Sequence, residues 1–164
     1  MRTTRNAIIW GILPAVILIG ATMPSCRAHR PKPTVQVNGA TIQVEVADTK
    51  EKREIGLGGR GSLPEGQGML FVFDKAMPLN FHMRDCYFPI DIAFLDADKK
   101  IINMWSMAVE EDPAHPIRHY LSDRDAKYAL ETVAGAWQRI GAAPGMTVQF
   151  ANVPERAPAP TSRP

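Results

Sequence analysis

Histidine, arginine, aspartate and cysteine crowd into one short stretch, Phe81-His82-Met83-Arg84-Asp85-Cys86, with Asp91 close behind it. A guanidinium such as that of Arg84 can hold a carboxylate, a phosphate or an acidic sugar through two parallel hydrogen bonds. Read as an extended strand, the stretch puts Phe81, Met83 and Asp85 on one face and His82, Arg84 and Cys86 on the other. Phe81 and Met83 mark the first face as core. Arg84 then points outward or into a concavity, flanked by His82 and Cys86. The competing reading gives Arg84 a structural ion pair with Asp91 or Glu131 that organises a sheet.

Cys86 and His82 invite comparison with a nucleophile and its base. On an extended strand, however, a separation of four residues is roughly 13 Å at about 3.3 Å per residue. A working pair needs hydrogen-bond reach. His115 or His119, farther along, stay open as partners for Cys86. The plain alternative is that Cys86 is a small buried hydrophobe. A thiol-dependent hydrolase or transferase using Cys86 is thus the lesser reading, and no catalytic constellation is expected.

Metal chemistry has less support. His115 and His119 have the spacing of ligands on one helix face, yet Pro116 sits between them and no third ligand is evident. Glu110-Glu111-Asp112 reads as a solvated loop, with loosely held calcium as the lesser alternative. Gly58-Gly59 closes a helix rather than opening one, the wrong polarity for cradling phosphate. No metal and no cofactor is expected. Trp105 and Trp137 read as core or rim.

The elements that must position these residues are short. Thr41 to Val46 alternates strictly, with Ile42, Val44 and Val46 on one face, and Asn38-Gly39 before it signals a two-residue hairpin. Asp48 and Glu51 have capping-box spacing, which predicts a short helix from Thr49 to Leu57, ended by Gly56, Gly58 and Gly59. Strands are predicted at Gly68–Phe73, Asn80–Cys86, Ile90–Asp96, Lys100–Met107 and Lys127–Val133, with a closing strand in Met146–Ala151. Ala97-Asp98 suits a tight turn, Val109 to Asp125 a long irregular loop, and Ala134 to Ile140 one or two helical turns. Many short strands and few helices predict a mainly β fold: a small antiparallel sandwich or partly closed barrel with one or two short helices.

The two ends read differently. Arg2 and Arg5 precede an unbroken apolar run from Ala7 to Ala21, the pattern of a secretory signal peptide over residues 1–25. The run is shorter than the about 20 residues a spanning helix needs, and an uncleaved anchor is the alternative. Met23-Pro24-Ser25-Cys26 resembles the lipobox of bacterial lipoproteins, which would make Cys26 the lipidated first residue of the mature chain. Ordinary cleavage near Ala28 would instead discard it. Residues 26–33, with Arg27, Arg30, Lys32, Pro31 and Pro33, read as a basic spacer against anionic lipid. Residues 152–164 form a proline-rich tail expected to be disordered.

Residues 34–151 form one domain-sized segment of ordinary globular composition. They carry 12 Lys and Arg against 16 Asp and Glu, so the domain is four charges negative although the whole chain is +2. A nucleic-acid partner is therefore not expected.

Several phrases stand in order along that segment. They are Val44-Glu45-Val46-Ala47-Asp48-Thr49, Gly56-Leu57-Gly58-Gly59-Arg60, Leu63-Pro64 and Gly68-Met69-Leu70-Phe71-Val72-Phe73. Phe81-His82-Met83-Arg84, Pro89-Ile90-Asp91-Ile92-Ala93-Phe94-Leu95-Asp96 and Tyr128-Ala129-Leu130-Glu131 follow. Together they resemble domain of unknown function 192, also called uncharacterised protein family 0127. The resemblance implies a small, mainly β protein, often exported or membrane-anchored, with no assigned activity. Its patterns usually have tryptophan at the place of His82, asparagine-threonine at Asp85-Cys86 and methionine at Gly58. The binding candidates are His82, Arg84, Asp85, Cys86, Asp91, Arg60 and Glu131.

The expectation is an exported, membrane-tethered, non-catalytic binding or accessory module of the cell envelope, periplasmic or on the outer surface. Its ligand would be a small anion, an acidic saccharide or an envelope protein, contacted near Arg84 and the Val109–Asp125 loop. A purely structural envelope protein is a third reading.

Overall fold

Asn38 and Gly39 both take positive φ, 47° and 80°, the geometry that lets a two-residue turn match the twist of the strands it joins. They link β1 (Thr34–Val37) to β2 (Ala40–Ala47) with Val37 opposite Ala40. The computed structural model describes residues 31–154. The expected signal segment over 1–25, Cys26 and its lipidation, and the tail beyond Pro154 lie outside them.

Helix α1 (Lys50–Ile55) follows β2. Its cap is Thr49, one residue later than the spacing of Asp48 and Glu51 suggests. The Thr49 hydroxyl accepts from the Lys52 N–H at 3.3 Å, while Asp48 takes the Lys52 ammonium at 2.7 Å. Gly56 ends the helix at φ 53°. Strand β3 (Gln67–Met77) then lies parallel to β2, the one parallel pair in an otherwise antiparallel sheet. Parallel neighbours need a crossover connection, and α1 with its glycine turn supplies it.

Strands β4 (Asn80–Phe81), β5 (Ile90–Leu95), β6 (Ile101–Met107), β7 (Tyr120–Leu121) and β8 (Ala126–Val133) come next. Helix α2 (Ala136–Ile140) and β9 (Gln149–Ala151) complete the described chain. Seven strands form one sheet in the order β6-β5-β8-β3-β2-β1-β9, while β4 and β7 pair apart from it. Its two edges approach each other. Lys100, beside β6, bridges Thr147, beside β9, and Ile101 exchanges backbone hydrogen bonds with Met146 and Gly145 at 2.9 and 2.8 Å. The result is a mainly β, partly closed barrel with two short helices, one of the two architectures that the sequence predicts.

Both faces of this sheet are buried, which explains the nearly continuous apolar run in β3. Leu70, Val72, Ala93, Leu95 and Leu130 fill the inside of the curl with Val35, Val44 and Trp137. Met69, Phe71, Ile90, Ile92, Phe94 and Ala129 face the other way, under Leu57, Leu63, Leu79, Met83 and Tyr120. The outer core carries the candidate site. Among the described residues, no helix is long and apolar enough to cross a membrane.

Candidate functional site

Glu131 belongs to the outer face of β8, alternating with inward Leu130. It sits opposite Met69 of β3 and Ile92 of β5, in the middle of the sheet. Strand period two therefore places a carboxyl among apolar side chains, only 5% exposed. Burial disfavours its ionised form and lifts its pKa to about 8, against a smaller downward pull from the Arg60 charge. Among the described residues, no hydrogen bond to this carboxyl is present.

Above Glu131 opens a pocket of about 650 Å³. One wall is the C-terminal end of α1 with Ile55, Gly56, Leu57 and Gly58, and the sheet side presents Phe71 and Phe73. The remaining wall is the stretch that begins at β4, contributing Asn80, Phe81, His82, Arg84 and Cys86. Phe81 fixes that stretch, packing edge-on against Phe71 at 4.9 Å and Phe94 at 5.6 Å between ring centroids.

The strand expected through Cys86 stops at Phe81. Beyond it the chain turns at Arg84 and Asp85, where the Cys86 N–H donates to the Met83 carbonyl at 3.3 Å and Asp85 adopts φ 53°. Long-range contacts impose the turn. The Asp85 N–H donates to the Pro113 carbonyl, and the Asp85 carbonyl accepts from the Gly59 N–H, both at 2.8 Å. Gly58 allows the approach, since a Cβ there would lie 2.9 Å from the Ile55 carbonyl and 3.2 Å from that of Arg84. Because the chain folds back, strand spacing does not govern the distance between His82 and Cys86, and both line the one pocket.

Four of the sequence candidates thus converge: His82, Arg84, Cys86 and Glu131. Asp85 serves the turn through its backbone. Arg60 lies in a neighbouring groove, held by Glu45 in a bidentate pair at 2.6 and 2.8 Å. Asp91 is buried on the inner face and accepts from the Ser106 hydroxyl at 2.7 Å. The structural pair proposed for Arg84 with Asp91 or Glu131 is not formed. Arg84 is exposed and has no ion pair among the described residues.

The electrostatics of the pocket follow from burial. Cys86 is pushed up to about 12 by desolvation, with Glu131 and Asp85 adding to the effect, so its thiol stays protonated at neutral pH. His82 is lowered, first by burial and then by the Arg84 charge, and its Nδ1 is buried without a partner among the described residues. His115 engages Asp112 at 2.9 Å and His119 engages Asn80 at 3.1 Å through their Nδ1 atoms. Neither lines the pocket with Cys86. Among the described residues, no group of three or more His, Cys, Asp or Glu could hold a metal ion.

Sequence reasoning missed the α1 wall and the aromatic floor. Phe71 and Phe73 share parity with Met69 on β3, a readable signal, but nothing local says that α1 ends above them.

The domain of unknown function 192 model, described as "Uncharacterized ACR", matches residues 33–150. The chain belongs to this family. The domain of unknown function 192 match spans every residue that lines the pocket. A search of the curated proteins found no relative. Among solved structures, the chain is similar to a proposed transcription regulator from Sinorhizobium meliloti 1021, with 29% identity and a TM-score of 0.66 over 76% of this chain and 97% of that one. It is also similar to a protein of unknown function from Novosphingobium aromaticivorans DSM 12444, with 27% identity and a TM-score of 0.62 over 72% and 83% of the two chains.

Proposed function

We propose that this chain is an envelope-tethered, non-catalytic module that binds a small anionic ligand in the pocket between α1 and residues 80–86. The observation that carries the reading is Arg84. It is a guanidinium without an ion pair among the described residues, at a pocket of ligand size walled by aromatic rings. Tethering is supported by the basic and apolar start of the chain and by Cys26 in a lipobox-like setting. Enzyme chemistry at Cys86 is disfavoured by a thiol held protonated.

The regulator description applies to the Sinorhizobium protein. For this chain, 12 Lys and Arg against 16 Asp and Glu over residues 34–151 is the wrong balance for a phosphate backbone. The test is thermal unfolding of the full chain with small carboxylates, phosphates and uronic acids, beside Arg84→Ala. A ligand at 100 times its Kd stabilises by about 2.7 kcal/mol. That shift should appear in the native chain and vanish in the variant. No stabilising compound in the set, with both proteins folded, would sink the reading.

A further inference from the structure

Arg84 and Glu131 line the same pocket with opposite ionised charges, and they do not neutralise each other. The cation whose field reaches Glu131 is Arg60, and Arg60 is already held in two hydrogen bonds by Glu45. A carboxyl more than nine-tenths buried, without a hydrogen bond among the described residues, is a costly group to keep in a core. A ligand that supplies the missing partner would recover that cost. Phe71 and Phe81 line the same pocket, rings able to flank the carbon chain of a ligand or the edge of a cation.

We propose that the pocket is built for a zwitterion, with Arg84 receiving the ligand's carboxylate and Glu131 its ammonium group. This rests on the binding reading above and specifies its ligand class: a small molecule with an amine and an acid group separated by an apolar span. A bare amine fits poorly, because Lys50, Arg53 and Arg84 also line the pocket, and Glu54 beside them is paired to Lys50 at 3.7 Å. A bare acid leaves Glu131 as it is. Only a ligand carrying both groups meets both ends.

Binding would also move a proton. Glu131 is mainly protonated at neutral pH, and an ammonium against it favours the carboxylate, so close to one proton leaves for solvent as the ligand seats. The other titratable groups around it are His82, Asp85 and Cys86 from the turn, Lys50, Arg53 and Glu54 from α1, and Arg60. His82 is lowered, so it is already mainly neutral at pH 7, and Cys86 keeps its proton there.

The experiment is calorimetry on the full chain with 4-aminobutanoate, 6-aminohexanoate and 8-aminooctanoate, against hexanoate and hexylamine, in two buffers of different ionisation enthalpy. At least one amino acid of the series should bind about tenfold tighter than hexanoate or hexylamine, with proton release. Glu131→Gln should bring its affinity to that of hexanoate and abolish the release, and Arg84→Ala should weaken it by a similar factor. If Glu131→Gln does not fold, proton release by the native chain and the Arg84→Ala result decide alone. Hexanoate binding as tightly as the amino acids, through Arg84, overturns the zwitterion and leaves the anion-binding module standing. Hexylamine binding as tightly overturns the zwitterion too. Absence of saturable binding by every probe overturns the zwitterion, and the phosphate and uronic-acid set above then decides the anion-binding module.

Discussion

Cys86 and Glu131 line one pocket, and the glutamate's charge is one of the forces that keep the cysteine a thiol. Burial comes first among those forces. The carboxylate adds to it wherever Glu131 is ionised, which includes the alkaline range in which the thiol titrates.

Alkylation of Cys86 by iodoacetamide at pH 7, in the full chain carrying Cys26→Ser, should therefore run far slower than alkylation of a free thiol. Only the thiolate attacks, and a group titrating at about 12 offers very little of it. Glu131→Gln should shift the rise in rate to lower pH by removing the nearby negative charge. A rate at pH 7 equal to that of a model thiol would revive the thiol enzyme.

Glu131 should also make the fold less stable as pH rises. Its pKa climbs from 4.5 to about 8 on folding, so the neutral form is the one the fold favours. The related stability is fully present below pH 4.5 and is lost between there and about pH 8, up to about 5 kcal/mol by linkage. Urea unfolding at pH 5 and pH 8 reads it. Glu131→Gln should flatten that descent and be the more stable protein at pH 8.

The Arg60–Glu45 pair is short and bidentate, yet the Glu45 side chain is 59% exposed. Solvent screening holds such a pair to about 1 kcal/mol or less. Arg60→Ala should cost no more than that in a urea melt. It should also raise the Glu131 pKa further, by removing the cation that opposes burial, and proton NMR titration of the glutamate would show the direction.

Gly58→Ala should destabilise by roughly 1–3 kcal/mol, the usual range for overpacking, since its Cβ would press on the Ile55 carbonyl at 2.9 Å. The Arg84 carbonyl is its next neighbour, so the turn that carries Arg84 moves with it. A melt unchanged from the native chain would mean that this approach is looser than the geometry implies.

Local sequence was enough for part of this protein. The alternation in β2 and the Asn38-Gly39 turn specify a hairpin through side-chain direction and backbone sterics alone. The apolar run in β3 marks a strand buried on both faces. His82, Arg84 and Cys86, crowded in sequence, line one pocket in the fold. Tertiary structure decided the rest. Extended spacing between His82 and Cys86 gave way to a turn because Pro113 and Gly59, distant in sequence, take the Asp85 backbone hydrogen bonds. Glu131 reaches that pocket only through the register of β8 with β3 and β5. Its raised pKa comes from burial, a property of the assembled core that no local pattern of residues encodes.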